Sequence, residues 1–178
     1  MAAKPPLERV QESERLLERI MLSIPGFSGY KLKEQRREAD RIVRDYIYNL
    51  LAHSRDDLSR CFQILNEAKL TEILEPTNQL IARLDRVAEK INRAAYGYSA
   101  FFDSARIDTP QLDQMLQYDT QLTDAARKIV DMISNFKTNL TENKLEDARD
   151  IELQISDSIT ELEDAFDKRK LMIEGVTV

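Results

Sequence analysis

A chain of 178 residues with a formal net charge of −6, no Trp and a single Cys is long enough for one domain with its own core. Its charge repels a phosphate backbone, so no nucleic acid is expected among its partners. A third of the residues are charged, and only four Gly and five Pro are present, too few breakers for a many-stranded fold and typical of long helices.

Cys61 has no second cysteine to pair with, and residues 4–9 lack the apolar run of a secretory signal, which gives the expectation of a cytoplasmic chain. No window reaches the ~20 apolar residues of a bilayer span. A transmembrane segment is therefore not expected, while peripheral contact with a membrane surface stays open.

In chain order, Pro5 and Pro6 precede a first helix over 7–23, with Leu7, Val10, Leu17 and Met21 on one face, and Pro25, Gly26 and Gly29 end it. This shorter helix is expected to lie across the rest or to pair with a partner, so that 1–28 form an N-terminal helix and linker and 29–175 a helical bundle. From about residue 34 the apolar positions recur at three and four: Ala39, Val43, Tyr46, Leu50, then Leu58, Cys61, Leu65, Ala68. Pro76 is expected to interrupt this segment, because the residue before a proline tends to leave the α region.

After Pro76 the stripe runs Leu80, Leu84, Val87, Ile91, Ala94, Tyr98, Phe101. Asp108 or Thr109 then caps a helix with Pro110 in its first turn, whose stripe is Leu112, Met115, Leu122, Ala126, Ile129, Ile133, Phe136. A further break over 139–143 rests on Asn and Thr chemistry alone, and the last stripe is Ile155, Ile159, Leu162, Phe166, Ile173. Such stripes can be buried only against one another, and short connections favour antiparallel neighbours. The expected fold is all-α, an antiparallel bundle of four long helices plus a shorter N-terminal helix. There is no internal repeat, which argues against a solenoid.

The chemistry that the sequence lacks is informative. With one His, His53, and one Cys, neither a Cys/His zinc site nor paired Glu-x-x-His ligands can be assembled. No Asp-x-Asp-x-Asp-Gly loop, no Gly-x-Ser-x-Gly elbow and no Gly-rich phosphate loop occurs. No metal site, cofactor or catalytic residue is expected, and His53 is read as a boundary-layer residue.

Four features stand out. Residues 29–44 are rich in cations, with Lys33, Arg37 and Arg44 roughly on one helical face and Arg36 and Arg41 beside them. The plain reading is a solvated face stitched by pairs such as Glu34 with Arg37, each worth a few tenths of a kcal/mol; the sharper one is a docking strip for an acidic partner or an anionic membrane surface. Residues 138–167 are the counterpart, with ten acidic side chains against two basic, an asymmetry that suits assembly. Asp119 breaks its local rule by standing where the stripe of Met115 and Leu122 asks for an apolar residue. A buried carboxylate needs a partner, and Arg36 or Arg37 is the expected one, the pair fixing register. A fourth feature, the aromatic cluster Tyr96, Tyr98, Phe101 and Phe102 around Gly97, is read as packing at a bundle end.

The segments 29–41 (Gly-Tyr-Lys-x-Lys-Glu-x-Arg-Arg-x-Ala-Asp-Arg) and 96–108 (Tyr-Gly-Tyr-x-x-Phe-Phe-Asp-x-x-Arg-Ile-Asp), followed by Leu112-Asp113 and Tyr118-Asp119, resemble a family of uncharacterised prokaryotic helical proteins. That family is loosely associated with genes for membrane scaffolds of the stomatin and prohibitin type, and the resemblance, over 29–119, implies a peripheral role at a membrane. On the residues themselves, the leading expectation is a non-enzymatic scaffold or adaptor that contacts proteins, including copies of itself, through Lys33, Arg36, Arg37, Arg41 and Arg44. The alternative is a peripheral membrane protein inserting Ile20, Met21, Leu22, Ile24 and Phe27. An enzyme built on Asp119 with Tyr98 or an Arg is the weakest reading, since no motif supports it.

Overall fold

A computed structural model describes residues 6–26, 33–94 and 109–173. Five helices follow one another: α1 Pro6–Ser23, α2 Lys33–Glu67, α3 Thr71–Arg93, α4 Thr109–Thr141 and α5 Leu145–Ile173. No strand occurs among the described residues, so the chain is an all-α bundle, as expected.

Two hairpins make up the bundle. α2 and α3 are antiparallel, with Arg55 bound to Asp85 and Arg44 to the Asn92 carbonyl, and α4 and α5 are antiparallel, with Arg169 bound to Asp119 and Ser158 beside Met132. Each closes with the same device. At the end of α2 the amide of Leu70 donates to Leu65 (3.0 Å) and that of Lys69 to Asn66 (3.1 Å); at the end of α4, Lys144 donates to Asn139 (2.8 Å) and Asn143 to Leu140 (3.2 Å). This paired pattern needs a left-handed residue just past the helix, supplied by Lys69 and Asn143, both at φ 57°.

Across the hairpins, neighbours run parallel. Arg127 meets Tyr46 and Lys137 approaches Asp57 along α4 and α2, while Thr77, Arg83 and Lys90 of α3 meet Glu152, Ser156 and Glu163 of α5. Antiparallel packing thus holds within the turn-linked pairs only.

The buried faces follow the helical period, with two shifts from expectation. In α2 the core line is Ala39, Val43, Ile47, Leu51, Leu58, Cys61 and Leu65, whereas Tyr46 and Leu50 are half-buried and Ala68 is exposed. Ser54, which the expected stripe passes over, continues the line from Leu51 to Leu58 and is itself buried. The second shift concerns Pro76. It lies inside α3 rather than at a break, and the chain turns at 68–70 instead. Six residues into the helix, proline withdraws one amide bond, and its ring bears on Glu72 in the first turn. Burying Ile73 and Thr77 on the same face as Leu80 and Leu84 outweighs that loss.

α1 joins the same core through Ile20 and Ile24, both buried, and packs on α4. Arg19 binds Asp124 at 2.8 Å. Arg127 ties three helices together: it donates to the Ser23 carbonyl (3.1 Å) and hydroxyl (3.2 Å) at the end of α1 and to the Tyr46 hydroxyl of α2 (2.8 Å), with its guanidinium 5.7 Å from the Tyr46 ring centroid.

Lys69 is exposed and holds a left-handed conformation that a β-carbon disfavours. Lys69→Gly is expected to raise stability by up to about 1 kcal/mol in chemical denaturation; a loss instead would show that the turn imposes no strain there.

Candidate functional site

The polar residues that depart from the apolar pattern converge on one place, at the end of the bundle away from the two hairpin turns. Asp119 of α4 is fully buried, as expected, and its partner is an arginine of another helix. That arginine is Arg169 of α5; Arg36 and Arg37, the expected partners, have side chains outside those described. Arg169 stands three residues after Phe166 and four before Ile173, on the core line of α5, so it points inward, straight at α4. Its Nε donates to Asp119 Oδ1 at 2.6 Å, and its Nη2 donates across the bundle to Asp40 Oδ1 of α2 at 2.7 Å.

Asp40 is shared. Its second oxygen accepts from Arg44 Nε, one helical turn on, at 2.9 Å, and Arg44 Nη1 donates to the main-chain carbonyl of Asn92 at 3.0 Å. Four helices therefore meet in one cluster that holds, among the described residues, two carboxylates and two guanidinium groups. All four side chains are buried, with exposures of 0% for Asp119, 1% for Arg169, 2% for Asp40 and 6% for Arg44. Nearby hydroxyls are bonded within their own helix, Thr123 to the Asp119 carbonyl and Thr120 to the Leu116 carbonyl.

Opposite charges at these distances in a dry interior hold each other firmly, and the forked guanidinium fixes direction as well as distance. Such a cluster sets the stagger of the helices. It contributes little net free energy over an apolar core of the same shape, yet losing one member strands the others.

Arg44 was expected in an exposed docking strip and is corrected by this geometry. It faces inward, as Asp40 four residues earlier does, so it is unavailable to a partner. Arg41, three residues earlier, is exposed and lies 3.4 Å from Asp45. Lys33, Arg36 and Arg37 lie in the first two turns of α2, with side chains outside those described, as does the whole aromatic segment 96–102. His53 is exposed rather than at a boundary, and its Nδ1 donates to the Asn49 carbonyl at 2.6 Å. Cys61 is fully buried, and burial pushes its thiol up to about 11, far from a reactive thiolate. No group of three or more His, Cys, Asp or Glu is placed to hold a metal ion among the described residues, and no helix among them is long and apolar enough to cross a membrane.

A second buried polar contact was not anticipated. Glu152 of α5 is buried and accepts from the Thr77 hydroxyl of α3 at 3.0 Å. Burial pushes its carboxyl above the ordinary range, against the opposing effects of the Thr77 bond and the Arg149 charge.

The outer face of α5 differs in kind. Glu146, Asp150, Asp157, Glu161 and Asp164 are exposed along it, around Leu153, which is 66% exposed. Glu161 lies 3.5 Å from Lys128; the other four carboxylates have no ion-pair partner among the described residues. Glu163 and Asp167 turn inward to Lys90. On α1, Met21 and Leu22 are 47% and 90% exposed.

Comparison of the chain with protein-family models, with curated proteins and with solved structures finds no match.

Two predictions follow from these buried groups. Arg169→Met leaves Asp119 and Asp40 without their bridging cation and is expected to lower stability by about 3–5 kcal/mol in urea denaturation, whereas Arg41→Gln on the same bundle should shift it by less than about 0.5 kcal/mol; equal effects would remove the cluster from its structural role. For Glu152 the raised native value means that the folded protein holds a proton the unfolded chain releases. Its stabilising contribution is full below the ordinary carboxylate pKa and is lost as pH rises through the native one. Glu152→Gln keeps an acceptor for Thr77, and should be more stable than the parent at neutral pH and lose that part of the pH dependence; parallel stability curves for the two proteins would contradict the assignment.

Proposed function

We propose that the chain is a non-enzymatic helical scaffold or adaptor that acts through protein–protein contact, including contact between copies of itself. The observation that carries this reading is the outer face of α5: a line of carboxylates mostly without cationic partners, around the exposed Leu153. Other candidate polar groups have partners within the bundle. Arg44 and Asp40 complete an internal ionic cluster, His53 binds its own helix, and Cys61 is sealed in the core.

A basic partner complements that face, and the chain has candidate cations of its own in Lys33, Arg36, Arg37 and the exposed Arg41. Such a contact is electrostatically steered and weakens with salt. An exposed leucine among the charges supplies apolar area at its centre.

A second reading, a peripheral protein at an anionic membrane surface, draws on the exposed Met21 and Leu22 and on the resemblance to a helical family loosely associated with genes of stomatin and prohibitin type. It loses two of its five anchors, because Ile20 and Ile24 are packed into the bundle, and Phe27 lies outside the described residues. Two exposed apolar side chains give weak anchoring.

Sedimentation at rising protein concentration, at low and at high salt, tests the first reading. Association that weakens with salt, and is reduced about tenfold or more both by Leu153→Asp and by Arg36, Arg37 and Arg41 replaced together by Gln, is the expected result. Arg44 stays untouched in that variant because it belongs to the core. A monomer under all conditions that also floats with vesicles of anionic lipid would overturn it in favour of the membrane reading.

A further inference from the structure

The two seams that join the hairpins are unlike. Along α2 and α4 the helices pack closely over their length, with Tyr46 bound to Arg127 and Asp57 near Lys137. Along α3 and α5 packing is sparser, and the bridges are polar: Thr77 to Glu152, Arg83 to Ser156 and Thr160, and Lys90 to Glu163 and Asp167.

This second seam is also uneven from end to end. At the turn end a cleft of about 270 Å³ lies between Lys69, Leu70, Thr71, Glu72 and Ile73 on one side and Leu145 and Arg149 on the other, crossed by the Glu72–Arg149 ion pair, both of whose side chains are largely exposed. Just inside it sits the buried carboxylate of Glu152. At the far end Lys90 grips two carboxylates, and the four-helix ionic cluster holds α5 to α2 and α4.

We propose that the α3/α5 seam opens locally from its turn end, the hairpins parting about the α2/α4 seam while the ionic cluster keeps the far end shut. Side chains that border a cleft have already lost contacts on that side, so parting them forfeits little dispersion energy. A buried carboxylate held by one neutral hydroxyl gains water when the seam parts. Opening the far end would separate buried opposite charges, which is strongly unfavourable. The turns at 68–70 and 142–144 stay intact, because each is hydrogen-bonded within its own hairpin. Local opening of this kind is a cooperative event below the global unfolding free energy.

Cys61 supplies a matched control. It lies on α2 near the same end of the bundle, and both it and Thr77 are 0% exposed, so a thiol at either position reacts only when its surroundings open. In the full chain carrying Thr77→Cys, the rates of N-ethylmaleimide modification at the two thiols are measured separately by peptide mass spectrometry, each divided by its rate in denaturant. The thiol at 77 is expected to be about tenfold or more less protected than Cys61. Equal protection would mean that both are reached only by global unfolding and would overturn the inference. Native-state hydrogen exchange on the unaltered protein gives an independent readout should the variant fail to fold: amides of 77–80 and 152–156 should exchange about tenfold faster than those of 54–65 and 129–140 at the same end, and uniform protection would again overturn it.

Discussion

The placement of Arg169 is the constraint on which the rest of the bundle depends. An apolar seam tolerates sliding by a turn, since one leucine packs much like the next. A guanidinium that must meet Asp119 with Nε and Asp40 with Nη2, at 2.6 and 2.7 Å, permits one stagger only. Through Asp40 the requirement passes to Arg44, and through Arg44 to the carboxyl end of α3 at Asn92. Four helices are thus held in register by four side chains. The cluster acts less as a source of net stability than as a rule against alternatives.

That rule acts at one end. At the other, register is set by the two turns, each closed by amide bonds to the preceding helix and by a left-handed residue. The hairpins are therefore defined separately at the turn end and jointly at the cluster end. Between them, the α2/α4 seam is continuous and the α3/α5 seam is polar and cleft at its turn end. Opposing ends held by different means leave a molecule whose weakest line runs along one seam, and the buried Glu152 sits on that line.

The sequence disclosed the fold because the physics of long helices is periodic and local. The stripes of α4 and α5 matched the buried residues closely, since each has one apolar face and no breaker within it. The misplaced break at Pro76 came from weighing a proline's effect on its own turn against nothing; the burial of Ile73 and Thr77, which decided the matter, is tertiary. Lys69 carried no turn signal, because lysine has no preference for left-handed backbone, whereas Asn143 does. Asp119 was legible as a charge on an apolar line. Arg169 stood on the line of Phe166 and Ile173 in the same way, and the same test applied to α5 would have found it. What no single-helix pattern carries is the third partner: Asp40 stands seven residues before Ile47 on the buried line of α2, but only the packed bundle brings Arg169 of α5 to it.

The same geometry divides the basic segment of α2 between interior and surface. Arg41 and Arg44 are three residues apart, close enough on a helical wheel to read as one strip. Yet the boundary of the core falls between them, so one is solvated and the other completes the buried cluster. Asp40, Arg44, Asp119 and Arg169 pair inside, while the carboxylates along the outer face of α5 stay in water. Charge buried as matched pairs specifies the fold; charge left in excess on one helix face is what a partner can read. The lone Leu153 stands among those carboxylates on the opposite side of α5 from Arg169, so one helix carries the buried ion pair on one face and unpaired charge around an exposed apolar side chain on the other.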